Sequence, residues 1–427
     1  MSDARAPLRH PALRAFLLGR ALSVLGVQVM HVAIGWRVYA LTGSALDLGL
    51  IGLVQFVPQA LLFPLVGTVV DRVDRRALVV VCYAIAALCV GALAILTSHG
   101  GIGVIYAVLL VFSLSRAFSA PAGPASLSSI VPADEFAQAS SWSSSVFTAA
   151  TVTGPALGGG LYALGEHLGW GGAPLAFGTA SALLALASLA MTRLPEVRAK
   201  HPGKPPGLRD ALHGVAYIVR RPVLLGSISL DLFAVLFGGA TALLPIYAAD
   251  VLQTGPVGLG LLRAAPAVGA LVTALWLAHN PIRRRLGWVL HVVVAIFGLA
   301  TLGFALSQHF WLSLCCLALA GMADEISVFI RLQVVQLATP DALRGRVTAA
   351  EFVFIGASNE LGQLESGLTA AWWGAVPAAV VGGLGSVVVA ILSAIFSRQL
   401  RQMDRIDDLR AQATPSLDKD PAEVDHG

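Results

Sequence analysis

Charge is what this chain lacks. Only 12% of its 427 residues are Asp, Glu, Lys or Arg, about half the share found in an average soluble domain. A soluble fold could not cover the apolar surface implied by 56% hydrophobic residues. Cysteine is scarce as well: Cys82, Cys89, Cys315 and Cys316 all fall inside apolar runs. Such thiols behave as small hydrophobes, and neither a disulfide framework nor a metal site is expected. Also missing are a nucleophile with its base, a set of metal ligands and a phosphate-binding loop. Those absences argue against an enzyme, a direct user of ATP and any bound cofactor. The formal net charge of +4 does not point to nucleic acid, because the basic residues cluster in short connections between apolar runs. The charged start MSDARAPLRHPALR leads into a stretch that passes Arg20 and Arg37 with no small-residue cleavage site, so no signal peptide is expected.

What the chain has is apolar length. Runs of about eighteen or more residues recur from Leu13 to Phe396, each able to cross a hydrocarbon core of about 30 Å as a helix. Twelve spans are expected, at 13–40, 46–70, 77–98, 102–125, 136–164, 173–193, 222–249, 257–279, 286–307, 311–337, 346–373 and 375–397. The 22 prolines and 44 glycines are tolerated where neighbouring membrane helices satisfy the freed backbone groups. The fold class is therefore all-α and polytopic.

Alternate connections differ in charge. One set carries Arg72, Arg75 and Arg76, then Arg193, Arg198, Lys200, Lys204 and Arg209, then Arg283 to Arg285, then Arg344 and Arg346; the other set has no Lys or Arg. By the positive-inside rule the basic set and both termini are expected in the cytoplasm. The Pro- and Lys-rich stretch from Pro195 to Pro206 separates two sets of six spans, and Gly207 to Pro222 reads as a surface helix. The expected organisation is a first half at 1–194, a linker at 195–221, a second half at 222–397 and a charged tail at 398–427. A weak repeat supports it: VPADEFAQASSW resembles TPDALRGRVTAA, with Pro132 and Pro340 208 residues apart, and Leu48-Gly49-Leu50 matches Leu259-Gly260-Leu261 at a spacing of 211.

Two motifs then stand out. GTVVDRVDRR joins spans 2 and 3 through Gly67, Asp71, Arg72, Arg75 and Arg76, and TGPALGGG in span 5 holds Gly154, Pro155, Gly158 and Gly159. Proline bends a helix and glycines admit a close neighbour, so the second motif is a bend whose bearing on transport direction stays open. Together with VLGVQVMHVAIGWRVYALTGSALDLGLIGLVQFVPQ, LQVVQLATPDALRGRV and FIGASNELGQLESG, these segments resemble the major facilitator superfamily, and within it the bacterial efflux branch that includes the enterobactin exporter. Asp74 stands where that family's loop carries a second glycine. The resemblance implies two pseudo-symmetric six-helix halves in a bacterial inner membrane, a monomer, and proton-coupled export of a siderophore, drug or similar amphipathic molecule. It also implies that Asp71 meets the amino end of the eleventh span. Proton-coupled uptake on the same fold, and a sensor without flux, remain alternatives.

An ionisable group at mid-bilayer costs about 3 kcal/mol or more, so each asks for a partner or a purpose. Arg20, Arg37, Arg116, Arg263 and Arg331 face Asp231, Asp324, Glu325, Glu351, Glu360 and Glu365 in the expected spans. At the repeat spacings Arg20 corresponds to Asp231 and Arg116 to Asp324, a pattern that suggests gating pairs across the halves, with Arg331 as a further ion-pair candidate. Proton carriage needs a buried carboxylate that a cation or water can discharge, and Asp324, Glu325, Glu360 and Glu365 are the candidates. Glu351 is expected to meet cytoplasmic water. Gln28, His31, Trp36, Gln55 and Gln59 put polar and aromatic groups into an apolar wall, either to line a substrate cavity or to tie neighbouring helices together. The partners expected are thus a small-molecule substrate, protons and membrane lipid.

Overall fold

The computed structural model describes residues 6–96, 101–196 and 208–404. Residues 197–207 of the expected linker and the tail beyond Asp404 fall outside the described residues. Six long helices make the first half: α1 (Pro11–Thr42), α2 (Ala45–Arg72), α3 (Arg75–Leu96), α4 (Ile102–Leu127), α5 (Phe136–His167) and α6 (Gly172–Met191). The surface helix α7 (Leu208–Arg220) follows. The second half holds α8 (Pro222–Gly238), the short α9 (Leu244–Ile246), α10 (Gly255–His279), α11 (Leu286–Leu306), α12 (Phe310–Ala338), α13 (Asp341–Trp373) and α14 (Ala375–Phe396), closed by the single turn α15 (Arg398–Arg401). Ten of these spans are apolar enough to cross a membrane on composition alone. The other two, α5 and α13, are rich in Ser, Thr, Gln and Glu, and they pack against α10 and α2 of the opposite half.

Local sequence explains the boundaries. Gly43 closes α1 in the left-handed region at φ 60°, and the Ser44 hydroxyl accepts the amide of Asp47 to start α2. Asp74 does the same for α3, accepting the amides of Arg76 at 3.1 Å and Ala77 at 3.4 Å. The residue that departs from the family's glycine is therefore a helix cap. The expected seventh span is corrected in one respect: it is not one helix. It breaks at Gly239 and continues as a 3-10 turn (Ala240–Leu243), α9 and a π turn (Tyr247–Val251). Two successive glycines lower helix propensity, and Pro245 has no amide to donate.

The halves meet through α2 on α13 and through α5 on α10. Both contacts are built on glycine. A Cβ on Gly49 would fall 3.0 Å from the Cα of Gly367, and one on Gly260 would fall 3.2 Å from the Cα of Gly159. At the repeat spacings Gly49 corresponds to Gly260 and Gly159 to Gly367, so one backbone-on-backbone contact occurs twice, related by the pseudo-twofold axis. Around these glycines a single hydrophobic cluster runs through both halves, from Val29 and Ile34 to Tyr247, Leu262 and Ala378. At the end that carries the chain termini the clusters are separate, one around Leu13, Phe16 and Val70, the other around Leu224, Leu290 and Val347. The two halves thus share one apolar cluster toward the far end and keep separate ones toward the terminal end. The start of the tail, to Asp404, packs on the bundle: Leu400 and Met403 are buried and the Gly287 amide donates to the Met403 carbonyl at 3.0 Å.

Substituting Gly159 by Leu is expected to wedge α5 from α10. Spin labels at Thr42 and Thr254, read by electron–electron resonance, should then move several ångströms apart relative to the parent; an unchanged distance would show that the glycine contact does not set the closure.

Candidate functional site

Two groups of buried charge lie between the helices. In the first, Arg331 on α12 is ion-paired with Asp231 on α8, and its Nε donates to Glu351 Oε1 on α13 at 3.2 Å. All three are buried, with 3%, 7% and 6% of their surface exposed. Asp324 lies seven residues before Arg331, two helical turns away on the same face of α12, and it shares a small enclosed space with Asp231 and Ser327. One guanidinium thus stands among three carboxylates, all in the second half.

This arrangement corrects three expectations. Asp231 does not face Arg20, because Arg331 on the adjacent helix is nearer; Arg20 instead stacks over the Phe147 ring, 5.1 Å from its centroid. Asp324 lines the same small space as Asp231, whereas Arg116 lies within electrostatic reach of Glu360. Glu351 does not meet water, because α8 and α12 enclose it with Arg331.

The second group bridges the halves. Glu360 on α13 lies against α2, where a Cβ on Gly52 would fall 3.2 Å from its Oε2, and it accepts the Gln363 side-chain amide at 2.9 Å. Arg116 from α4 and Arg263 from α10 are both within electrostatic reach of Glu360 and of His31 on α1. His31 contacts Gln55 at 3.2 Å, and the Gln55 carbonyl accepts from Ser113, one turn from Arg116. Gln59 donates to the same carbonyl at 3.1 Å, and Gln28 reaches the Thr151 carbonyl at 3.4 Å. Arg116, Arg263, His31 and Glu360 are all half-buried. Reasoning from sequence counted Arg263 as an intramembrane charge but gave it no role; its mid-span position was the available signal.

Glu325 and Glu365 belong to neither group. Both are half-buried, and Glu365 has a hydroxyl contact from Ser366 at 3.4 Å. Trp36 sits further toward the closed end, packed edge-on to Tyr162 with ring centroids 6.4 Å apart. There Tyr39 of α1 donates to Asp250 of the π turn, a link between halves that sequence reasoning missed. Among the described residues no group of His, Cys, Asp and Glu could hold a metal ion.

Twelve helices in two related sextets, with charges enclosed between them, already limit the choice of family, and the sequence model of the Major Facilitator Superfamily matches residues 16–363. The chain belongs to the Major Facilitator Superfamily. Relatives within the superfamily include the enterobactin exporter EntS of Shigella flexneri, 27% identical over 90% of this chain and 88% of its own length. The enterobactin exporter EntS of Citrobacter koseri is 28% identical over 92% and 93%. Among solved structures, a bacterial homologue of the human lysosomal transporter Spinster, inward-facing and occupied, superimposes with a TM-score of 0.73 at 15% identity, covering 96% of this chain and 99% of its own.

The superfamily's loop between the second and third spans is tied down by Arg75, whose Nη1 donates to the Ala125 carbonyl at 3.0 Å. The side chains of Asp71 and Asp341, and the surroundings of Gly67, lie outside what is described, so the expected contact of Asp71 with the amino end of α13 does too. In the bent helix of this superfamily member, Gly154 lies against Gln28, Gly158 against Val29 and Gly159 against Pro256. The Gly-Pro motif therefore joins α5 to both α1 and α10.

Replacing Arg331 by Gln leaves two buried carboxylates without a cation, a change that typically costs about 3–5 kcal/mol. The thermal midpoint of the purified chain should fall sharply, and adding Asp231→Asn should recover part of the loss. A double variant no more stable than the single would mean that the pair is not coupled.

Proposed function

We propose that this protein is a secondary transporter that exports a small amphipathic molecule by alternating access, driven by the proton gradient. The observation that carries the reading is the bridging charge group, set between two halves that share glycine contacts and an apolar core. A binding group enclosed between two bodies is what alternating exposure requires. Residues 1–194 and 222–397 serve as the two bodies, 195–221 as their cytoplasmic connection and 398–427 as a tail. The Arg-rich connections put both termini in the cytoplasm of a bacterial inner membrane. Export rather than uptake is supported by relatives that are named exporters and resemble nearly the whole chain.

The counter-moving proton is assigned to Asp324. Three carboxylates around Arg331 leave a negative excess away from bulk water, and a proton is the simplest remedy. Movement of α12 against α8 would alter the distance from Asp324 to Arg331 and with it the hold on that proton. Tyr39 and Asp250 act as a latch on the periplasmic side, since their bond must break for the far end to open.

Inside-out membrane vesicles containing the full chain test this reading with enterobactin and a panel of amphipathic dyes. An imposed acid interior should drive accumulation of at least one compound, and Asp324→Asn should abolish that accumulation while leaving binding of the compound intact. No gradient-dependent movement of any compound would favour a sensor, and movement in the opposite sense would favour uptake.

A further inference from the structure

The most unusual electrostatic feature of the molecule is a pair of guanidiniums, one from each half, that share a single carboxylate. Arg116 and Arg263 both act on Glu360, yet neither forms a direct ion pair among the described residues, in contrast to Arg331 with Asp231 and Glu351. The other groups near this place include His31, Gln55, Gln363 and, beside Arg116, Tyr83. None of these is a carboxylate, so the site holds one net positive charge with Glu360 ionised. Half-buried cations without a close counter-ion leave their donors for a ligand, and planar guanidiniums are the side chains best matched to a bidentate oxygen anion.

Pseudo-symmetry points the same way. At the repeat spacings the position of Arg263 corresponds to Gly52, and that of Glu360 corresponds to Val152. Neither charge repeats an element of the other half. The glycine contacts that hold the halves together recur in both interfaces, whereas these charges occur once each, so the helix packing common to both interfaces does not require them. The three groups also come from both moving bodies, with α4 on one side and α10 and α13 on the other, so a ligand held between them would touch both halves at once.

We propose that Arg116 and Arg263 form a subsite for an oxygen anion, a carboxylate or ionised phenol on the transported molecule, and that Glu360 is the internal stand-in that the ligand's anionic group displaces. The subsite gives the cargo its orientation: the charged end sits between the two guanidiniums, and the apolar body lies along the wall of α1 and α2. Neutral amphipathic molecules of the same shape are held less firmly. The proposal rests on the transporter reading for the word cargo, but the binding it describes can be measured with no flux at all.

The test uses the full chain in lipid nanodiscs and titrates 2-naphthoate against 2-naphthamide, two probes of nearly equal size that differ in charge. Naphthoate should bind about tenfold or more tightly than naphthamide. Arg116→Gln and Arg263→Gln should each reduce naphthoate to the level of naphthamide, whereas Arg116→Lys should keep part of the preference. Glu360→Gln should tighten naphthoate and leave naphthamide unchanged, because the competing carboxylate is gone. Equal binding of the two probes by the parent protein would overturn the proposal without recourse to any variant, as would weaker naphthoate binding in Glu360→Gln. Loss of proton-driven flux with the naphthoate preference intact would sink the transporter reading and spare the subsite.

Discussion

The guanidinium of Arg331 lies between carboxylates from two neighbouring helices, and the second half is arranged around that contact. In a low-dielectric interior the cost of an unpaired charge exceeds the gain from almost any single apolar contact. The rotation of α8, α12 and α13 about their own axes is therefore set by the need to bring Asp231, Arg331 and Glu351 together. Once those three faces are turned inward, the positions of Asp324 and Glu360 on the same helices follow. One faces the interior of its own half and the other faces the opposite half.

Symmetry is exact in the backbone contacts that hold the bodies together and broken in the groups that carry charge. Gly49 with Gly367 and Gly260 with Gly159 are one structural solution used twice. A tight helix contact needs only small residues, so duplication preserves it at no cost to either copy. A site that must bind an asymmetric molecule has no such reason to stay symmetric. Arg116 opposite Asp324 in the repeat, and Arg263 opposite Gly52, mark where the halves have diverged in role.

The spans were legible because apolar length is a one-dimensional signal. Even α5 and α13, which are more polar than the other ten, fall among the expected spans. Charge pairing was not legible in the same way. Arg20 and Asp231 occupy corresponding places, but which partner a side chain meets depends on helix rotation, and sequence order records only axial height. The seven-residue spacing of Asp324 and Arg331 did put both on one face and could have suggested an arrangement within one half. Asp74 read as a departure from the family's loop, whereas its position just before Arg76 and Ala77 makes it a cap. The packing of the tail's first residues was hidden because two apolar residues, Leu400 and Met403, are too few to register as a pattern.

The broken seventh span has a mechanical meaning. The segment from Ala240 to Val251 packs in the core that both halves share, against α1 and α2 of the first and α10, α13 and α14 of the second, while α8 below it is bound to the Arg331 group. Gly239, with no side chain to anchor it, separates the two pieces. The span is thus a jointed pair of short rods, and the upper one is wedged between the halves.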